Sequence, residues 1–333
     1  MTTGPIRLDL TANALGPTFG VLEALAGADG LQFPAGELET TLRERLAGWL
    51  GVPVRSVVIA AGIDRLLMDL FGWLRDDGPM VLFPPTDPIP GRLATWMGLP
   101  TIDLFRSPRF DLAVDADILA ELPQRWSALV QTPNDPSGTT LTAEEAVTLA
   151  RRARVLILDE RHAAYSPRTL LPLAREFDNV VVVRTFETWA GLAGMPLAYA
   201  IVPMRLVDAF QASRPVSAIN RGAAIAGHAT MDDLKAVLAS VRDVRTERAR
   251  LYRMLRKLNM VSVPYPTWSN FLLVRAERTT APYIVDGLAR RDIRVAPVAD
   301  EALAERVFRV SAGRSEHTDA LRSALIEIGL TIP

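Results

Sequence analysis

The chain has 333 residues and a formal net charge of −1, with 37 Lys plus Arg against 38 Asp plus Glu, so its charge gives no case for a nucleic-acid partner. It has no cysteine, which excludes disulfides, thiolate nucleophiles, Fe–S clusters and Cys-ligated zinc. The only lysines are Lys235 and Lys257, and the three histidines, His162, His228 and His317, lie far apart; no metal site is expected.

Strand-like apolar runs come first: Val57–Ala60, Met80–Phe83, Thr101–Leu104, Ala128–Gln131, Val155–Asp159, Val180–Arg184 and Leu197–Val202. Their near-continuous apolar character is that of buried parallel strands. Helical patterns lie between several of them. Glu37–Leu50 places Leu38, Leu42, Leu46 and Leu50 at four-residue spacing. Thr142, with Glu145 three residues on, reads as a capping box opening a helix. This alternation predicts a doubly wound α/β domain with a mostly parallel sheet.

After Met231 the pattern changes. Asp232–Leu258 reads as one long helix carrying both lysines. Strand Asn270–Arg275, helix Ala281–Arg290, strands Ile293–Val295 and Val307–Ser311, and helix Glu316–Ile328 follow, the make-up of a small α+β domain. Met1–Asp9 has no apolar core of a secretory signal, and no apolar run approaches the roughly 20 residues of a membrane span. A cytoplasmic protein without membrane partners is expected.

The segments Pro84–Pro88 and Thr132–Gly138 each follow a strand, where open α/β sheets bind ligands. Plain turn chemistry explains either one alone. Read together and in order, Asn13–Pro17, Phe33–Pro34, Gly62–Asp64, Thr132–Gly138, Asp159–Glu160, Arg184–Phe186 with Gly191–Gly194, Asn270–Phe271 and Phe308–Val310 resemble fold-type I aminotransferases, most of all the histidinol-phosphate aminotransferases. The resemblance implies a large domain at 30–231, a connecting helix at 232–258 and a small domain from 1–29 and 259–333. It also implies a homodimer with sites at its interface.

The same resemblance places the family's pyridoxal phosphate (PLP) machinery on this chain, and most of it differs. Thr188 stands where the family has its Schiff-base lysine, and threonine cannot form an imine. Pro196 stands at the phosphate arginine, Glu187 at a serine, Ile63 at a hydroxyl residue and Phe33 at a tyrosine that reaches across the dimer. Asp87 replaces an aromatic that stacks on the ring; His162 and Asp135 replace a tyrosine and an asparagine that bond the ring oxygen. Asp159, the partner of the pyridine nitrogen, is retained. On this basis no cofactor is expected, with PLP or its amine form PMP held non-covalently as the alternative.

Clustered carboxylates with one imidazole can divide acid and base roles. Glu187, His162, Asp135 and Asp159 are the catalytic candidates, with Glu187 foremost for proton transfer. Arg309 matches the arginine that grips a substrate carboxylate. Asn134, Asn270 and Asp87 line the same pocket as binding candidates; for Asp87, in a proline-rich turn, turn chemistry is the competing reading. Arg184 and Thr185 read as structural. The expected function is PLP-independent acid/base chemistry, such as elimination, cyclisation, isomerisation or condensation, on a small carboxylate or amino-acid-like substrate in specialised biosynthesis. A non-catalytic homologue, either structural subunit or ligand-binding regulator, is the alternative. An ordinary aminotransferase is a third reading, which Thr188 opposes.

Overall fold

The computed structural model describes residues 4–112, 114–214 and 219–332. Its strands are β1 (Ile6–Leu8), β2 (Val57–Ala60), β3 (Met80–Leu82), β4 (Thr101–Asp103), β5 (Ser127–Gln131), β6 (Leu156–Asp159), β7 (Val180–Thr185), β8 (Ala198–Ile201), β9 (Val261–Ser262), β10 (Phe271–Ala276), β11 (Ile293–Pro297) and β12 (Val307–Ser311). The larger sheet runs β2-β8-β7-β6-β5-β3-β4. It is parallel except at β8, which lies antiparallel to both neighbours.

Away from the exposed edge strand β4, the apolar runs are continuous because both faces of this sheet are covered. Side chains alternate along each strand. Ile59, Val81, Val130, Leu158 and Val182 enter a core on one face. Val58, Met80, Leu129, Ile157 and Val183 enter a separate core on the other. The helices that provide this cover include the expected Glu37–Leu50. The helix Ala143–Arg152 has both arms of its capping box. Glu145 N–H donates to Thr142 Oγ1 at 3.2 Å, and Thr142 N–H donates to Glu145 Oε2 at 2.8 Å.

The long helix differs from expectation. It runs Leu234–Leu255, and a separate helix, Arg221–Asp232, precedes it. That first helix is built from small residues because it packs closely. A Cβ added at Gly227 would stand 2.8 Å from side-chain carbons of both Leu42 and Leu197. Small residues blur the apolar period that would have marked it.

The second sheet runs β1-β11-β12-β10-β9. β1 pairs parallel with β11, bringing the two ends of the chain together; the other pairs are antiparallel. Leu8, Leu272, Val274, Ile293 and Val310 pack beneath the helices Ala281–Ala289 and Ser315–Leu330. β12 carries Arg309 toward the carboxyl ends of the large sheet, where it meets Asp135.

Candidate functional site

The site gathers at the carboxyl ends of β3, β5, β6 and β7, where parallel strands release their chains into loops. Asp159 is the last residue of β6 and has no exposed surface. A carboxylate buried there needs a partner. Arg161, two residues on, supplies it: its Nε lies 2.8 Å and its Nη2 2.7 Å from Asp159 Oδ2. The same guanidinium reaches across to the loop after β3, with Nη1 2.8 Å from Asp87 Oδ2. Burial pushes the Asp159 carboxyl above its usual range, and Arg161 pulls it part of the way back. Burial also opposes the Arg161 charge, but Asp159 and Asp87 outweigh it and hold that cation above the usual arginine value.

A second ion pair lies beside the first. Arg309 donates to Asp135 and, at 2.6 Å, to the Asp9 carbonyl. Its guanidinium sits over the Phe271 ring, 5.2 Å from the centroid. Burial raises the Asp135 carboxyl, and Arg309 offsets part of this. Asp87, Asp135, Asp300 and Arg309 line a cavity of about 150 Å³.

Glu187 is half-buried at the start of the helix Ile63–Leu74. Its Oε1 accepts from the Ile63 amide at 3.2 Å and from Thr185 Oγ1 at 2.9 Å. The end of a helix with free N–H groups is a natural place for an anion. Burial raises its carboxyl, against the pull of those two hydrogen bonds. Gly62 makes this geometry possible. Its φ is +94°, and a Cβ there would stand 2.9 Å from Pro196 Cβ and 3.3 Å from Glu187 Oε1.

The remaining candidates have other neighbours. His162 is buried, with its ring edge-on to Phe271 at 5.3 Å between centroids. Burial, then the Arg161 and Arg309 charges, pushes its pKa well down, so it stands neutral. Asn134 is wholly engaged in holding loops together. Its Nδ2 donates to Pro85 O and Ser137 Oγ, and its Oδ1 accepts from Thr86 Oγ1 at 2.8 Å. Asn270 Nδ2 donates to Thr11 O at 2.8 Å. Thr188 Oγ1 donates to the Arg161 carbonyl at 2.5 Å, fixing the turn that aims Arg161.

Arg161 therefore joins Asp87 to Asp159, Arg309 pairs with Asp135 beside them, and Glu187 lies at the edge. Asn134, Asn270 and His162 sit in the surrounding framework. Arg161 is the residue that sequence reasoning missed. Its signal was present: a cation directly after two acids at the end of a buried strand. Lys235 and Lys257 are both exposed, on or just after the long helix. For a cofactor, Asp159 could hold a protonated ring nitrogen, and the Ile63 amide could hold a phosphate. Among the described residues no cluster of three His, Asp or Glu forms a metal site, and no helix is long and apolar enough to cross a membrane.

The model of the aminotransferase class I and II family matches residues 12–326. The chain belongs to that family. It is 32% identical to a histidinol-phosphate aminotransferase of Roseiflexus castenholzii, over 97% of this chain and 89% of that protein. Its fold matches the histidinol-phosphate aminotransferase of Sinorhizobium meliloti in complex with pyridoxal-5'-phosphate. The TM-score is 0.88 at 24% identity, over 99% of this chain and 92% of that one. It also matches an L-threonine-O-3-phosphate decarboxylase from Porphyromonas gingivalis, with a TM-score of 0.82 at 16% identity, over 98% and 100% of the two chains. The fold-type I assignment, with its mostly parallel sheet, is thus established for this family member.

The cofactor expectation is corrected. No cofactor was expected, because Thr188, Pro196 and Glu187 stand at positions assigned to PLP contacts. The relatives are named as aminotransferases, and the Sinorhizobium protein holds PLP, which points to PLP use and not to none. Residue-by-residue reasoning overreached because it treated the loss of individual contacts as the loss of the whole ligand. Asp159 and the helix start at Ile63 remain, although Arg161 and Glu187 now occupy them.

Proposed function

We propose that this family member binds a small carboxylate or amino-acid-like substrate beside Arg309 and moves protons with Glu187. The observation that carries the reading is the Glu187 carboxyl. It has a raised pKa, two fixed hydrogen bonds and a place at the strand ends beside the Arg161 network. A raised carboxyl is nearer the pKa of a useful general acid or base at neutral pH. Arg309 would exchange the Asp135 carboxylate for that of a substrate, using the same planar fork.

A PLP-type cofactor would be held by Asp159 and the helix start at Ile63, without a covalent link to the chain. We read Thr188 as standing at the lysine position, and the two lysines are exposed and elsewhere. When bound, such a group supplies an electron sink for charge developing on a substrate carbon. In the structure Arg161 occupies Asp159 and Glu187 occupies the Ile63 amide, so each must yield its place. Released from the amide, Glu187 would be free to hold or move a proton at its Oε1. A homodimer and a role in specialised biosynthesis belong to the same reading.

A second reading, a non-catalytic ligand-binding or structural member, has one observation in its favour. Both Arg161 and Arg309 already carry internal carboxylate partners. Hydrogen–deuterium exchange at the α-carbon of a panel of amino acids, followed by NMR with PLP present, separates the two readings. Exchange by the wild type that is lost in Glu187→Gln supports proton transfer by Glu187. Exchange retained in full by Glu187→Gln removes that role, and no exchange across the panel favours the non-catalytic reading.

A further inference from the structure

Away from the strand ends, the long helix Leu234–Leu255 carries a second concentration of charge. Arg242, Arg245, Ala249 and Arg253 follow at spacings of three, four and four, so they share one helix face. At about 1.5 Å per residue the stripe runs for roughly 16 Å. With Thr246 and Arg248 these residues line a shallow, open cleft on this one helix that contains no carboxylate. Asp243 and Glu247 are turned more than about 100° from the centre of this face. Glu247 is already engaged by Arg250 at 2.9 Å and by Thr318 at 2.5 Å, and Arg250 also reaches Asp319. The acids and their partner thus lie on a different side of the helix from the stripe.

Among the described residues, no carboxylate lies within ion-pair distance of Arg242, Arg245, Arg248 or Arg253. Arg248 donates only to the Ser269 carbonyl. Burial, and then the neighbouring Arg245 charge, push its pKa down to about 10. Guanidinium forks match phosphate oxygens two at a time.

We propose that the arginine-lined cleft on the long helix binds a small phosphate-bearing anion with two or more negative charges. This site is separate from the strand-end cavity and independent of the reading given for it. A phosphate group between Arg245 and Arg248 would relieve their repulsion, and a second phosphate would reach Arg242 or Arg253 along the stripe.

Calorimetric titration of the full chain with inorganic pyrophosphate, at fixed ionic strength, tests this. Saturable binding of one pyrophosphate per chain is expected. Arg245→Gln with Arg253→Gln should weaken it at least about tenfold, whereas Arg250→Gln, on the acid-paired side, should leave it unchanged. Arg242→Gln, at an exposed position, should also weaken it and keeps the test open if the double variant misfolds. Absence of saturable binding, or binding as tight as wild type by both the Arg242→Gln and the double variant, overturns the site. Citrate binding as tightly as pyrophosphate overturns its assignment to phosphate.

Discussion

Asp159 and Glu160 are adjacent, both buried, and each is paired with an arginine, yet they serve different surroundings. Glu160 is held from several elements, and with Thr169 and Arg184 it lines a separate cavity of about 210 Å³. It accepts from Thr169 Oγ1 at 2.8 Å, from the Leu170 amide at 2.5 Å and from Arg184 Nη2 at 2.6 Å. These partners come from a loop and a neighbouring strand, so together they fix the wall behind the sheet. Asp159 is held by its near neighbour Arg161, through one side chain and one amide. That side chain also reaches Asp87 on the rim of the cavity. One carboxylate is held from several elements, the other by a single neighbouring cation. Releasing Asp159 to a ligand requires moving one side chain, whereas releasing Glu160 requires moving a loop and a neighbouring strand residue.

The largest expected effect lies on the locked side. Arg184→Met leaves Glu160 buried without its cation and should cost about 3–5 kcal/mol in urea unfolding. Arg161→Met should cost less, because burial already raises the Asp159 carboxyl, which can take up a proton when its cation is gone. Equal losses would erase the distinction between the two acids. Next comes chemistry: Glu187→Gln should lower any measured proton-transfer rate by about 10²-fold or more, with little change in unfolding free energy at neutral pH.

A smaller effect concerns exchange at Asp159. Arg161→Ala removes the internal competitor and should tighten PLP or PMP binding by about tenfold, or about 1.4 kcal/mol, in an absorbance titration. Weaker binding would mean that Arg161 assists the ligand and does not compete with it.

The pH dependence is the most modest. Asp135, Asp159 and Glu187 all have carboxyls raised by burial. The folded chain therefore keeps protons that the unfolded chain has released. Their contribution is full below the ordinary carboxylate range and is lost as pH rises through the raised folded values. Stability measured by urea should fall over that interval, and Glu187→Gln should remove its share of the slope.

How much of this was legible in the sequence follows from burial. The runs that became β2, β3 and β5 to β8 stood out because both faces of the large sheet are covered there, so their central residues are apolar, whereas the edge strand β4 is exposed. The capping box at Thr142 is local chemistry and needs no tertiary context. β1 and β9 have three and two residues, too short for any period, and exist because β11 and β10 offer them edges. At the site, the strand-end positions were readable, but the pairing was not. Arg309 and Asp135 were read in separate roles, 174 residues apart, and meet as one ion pair. Asn134 has the chemistry of a ligand contact, yet its hydrogen bonds fasten two loops. Arg161 escaped notice because its importance lies in where a long side chain turns. The cofactor reading failed for a related reason: changes at single contacts do not add up to the absence of a ligand.

The account stands most directly on how the chain holds a PLP-type group. Titrating the purified protein with PLP, reducing with borohydride and weighing the intact chain gives the decisive result. Saturable absorbance that is lost on dialysis, with no pyridoxyl mass on the reduced chain, is what the Asp159 and Ile63 anchors predict. A pyridoxyl group mapped to Lys235 or Lys257, or no saturable binding at all, would contradict it.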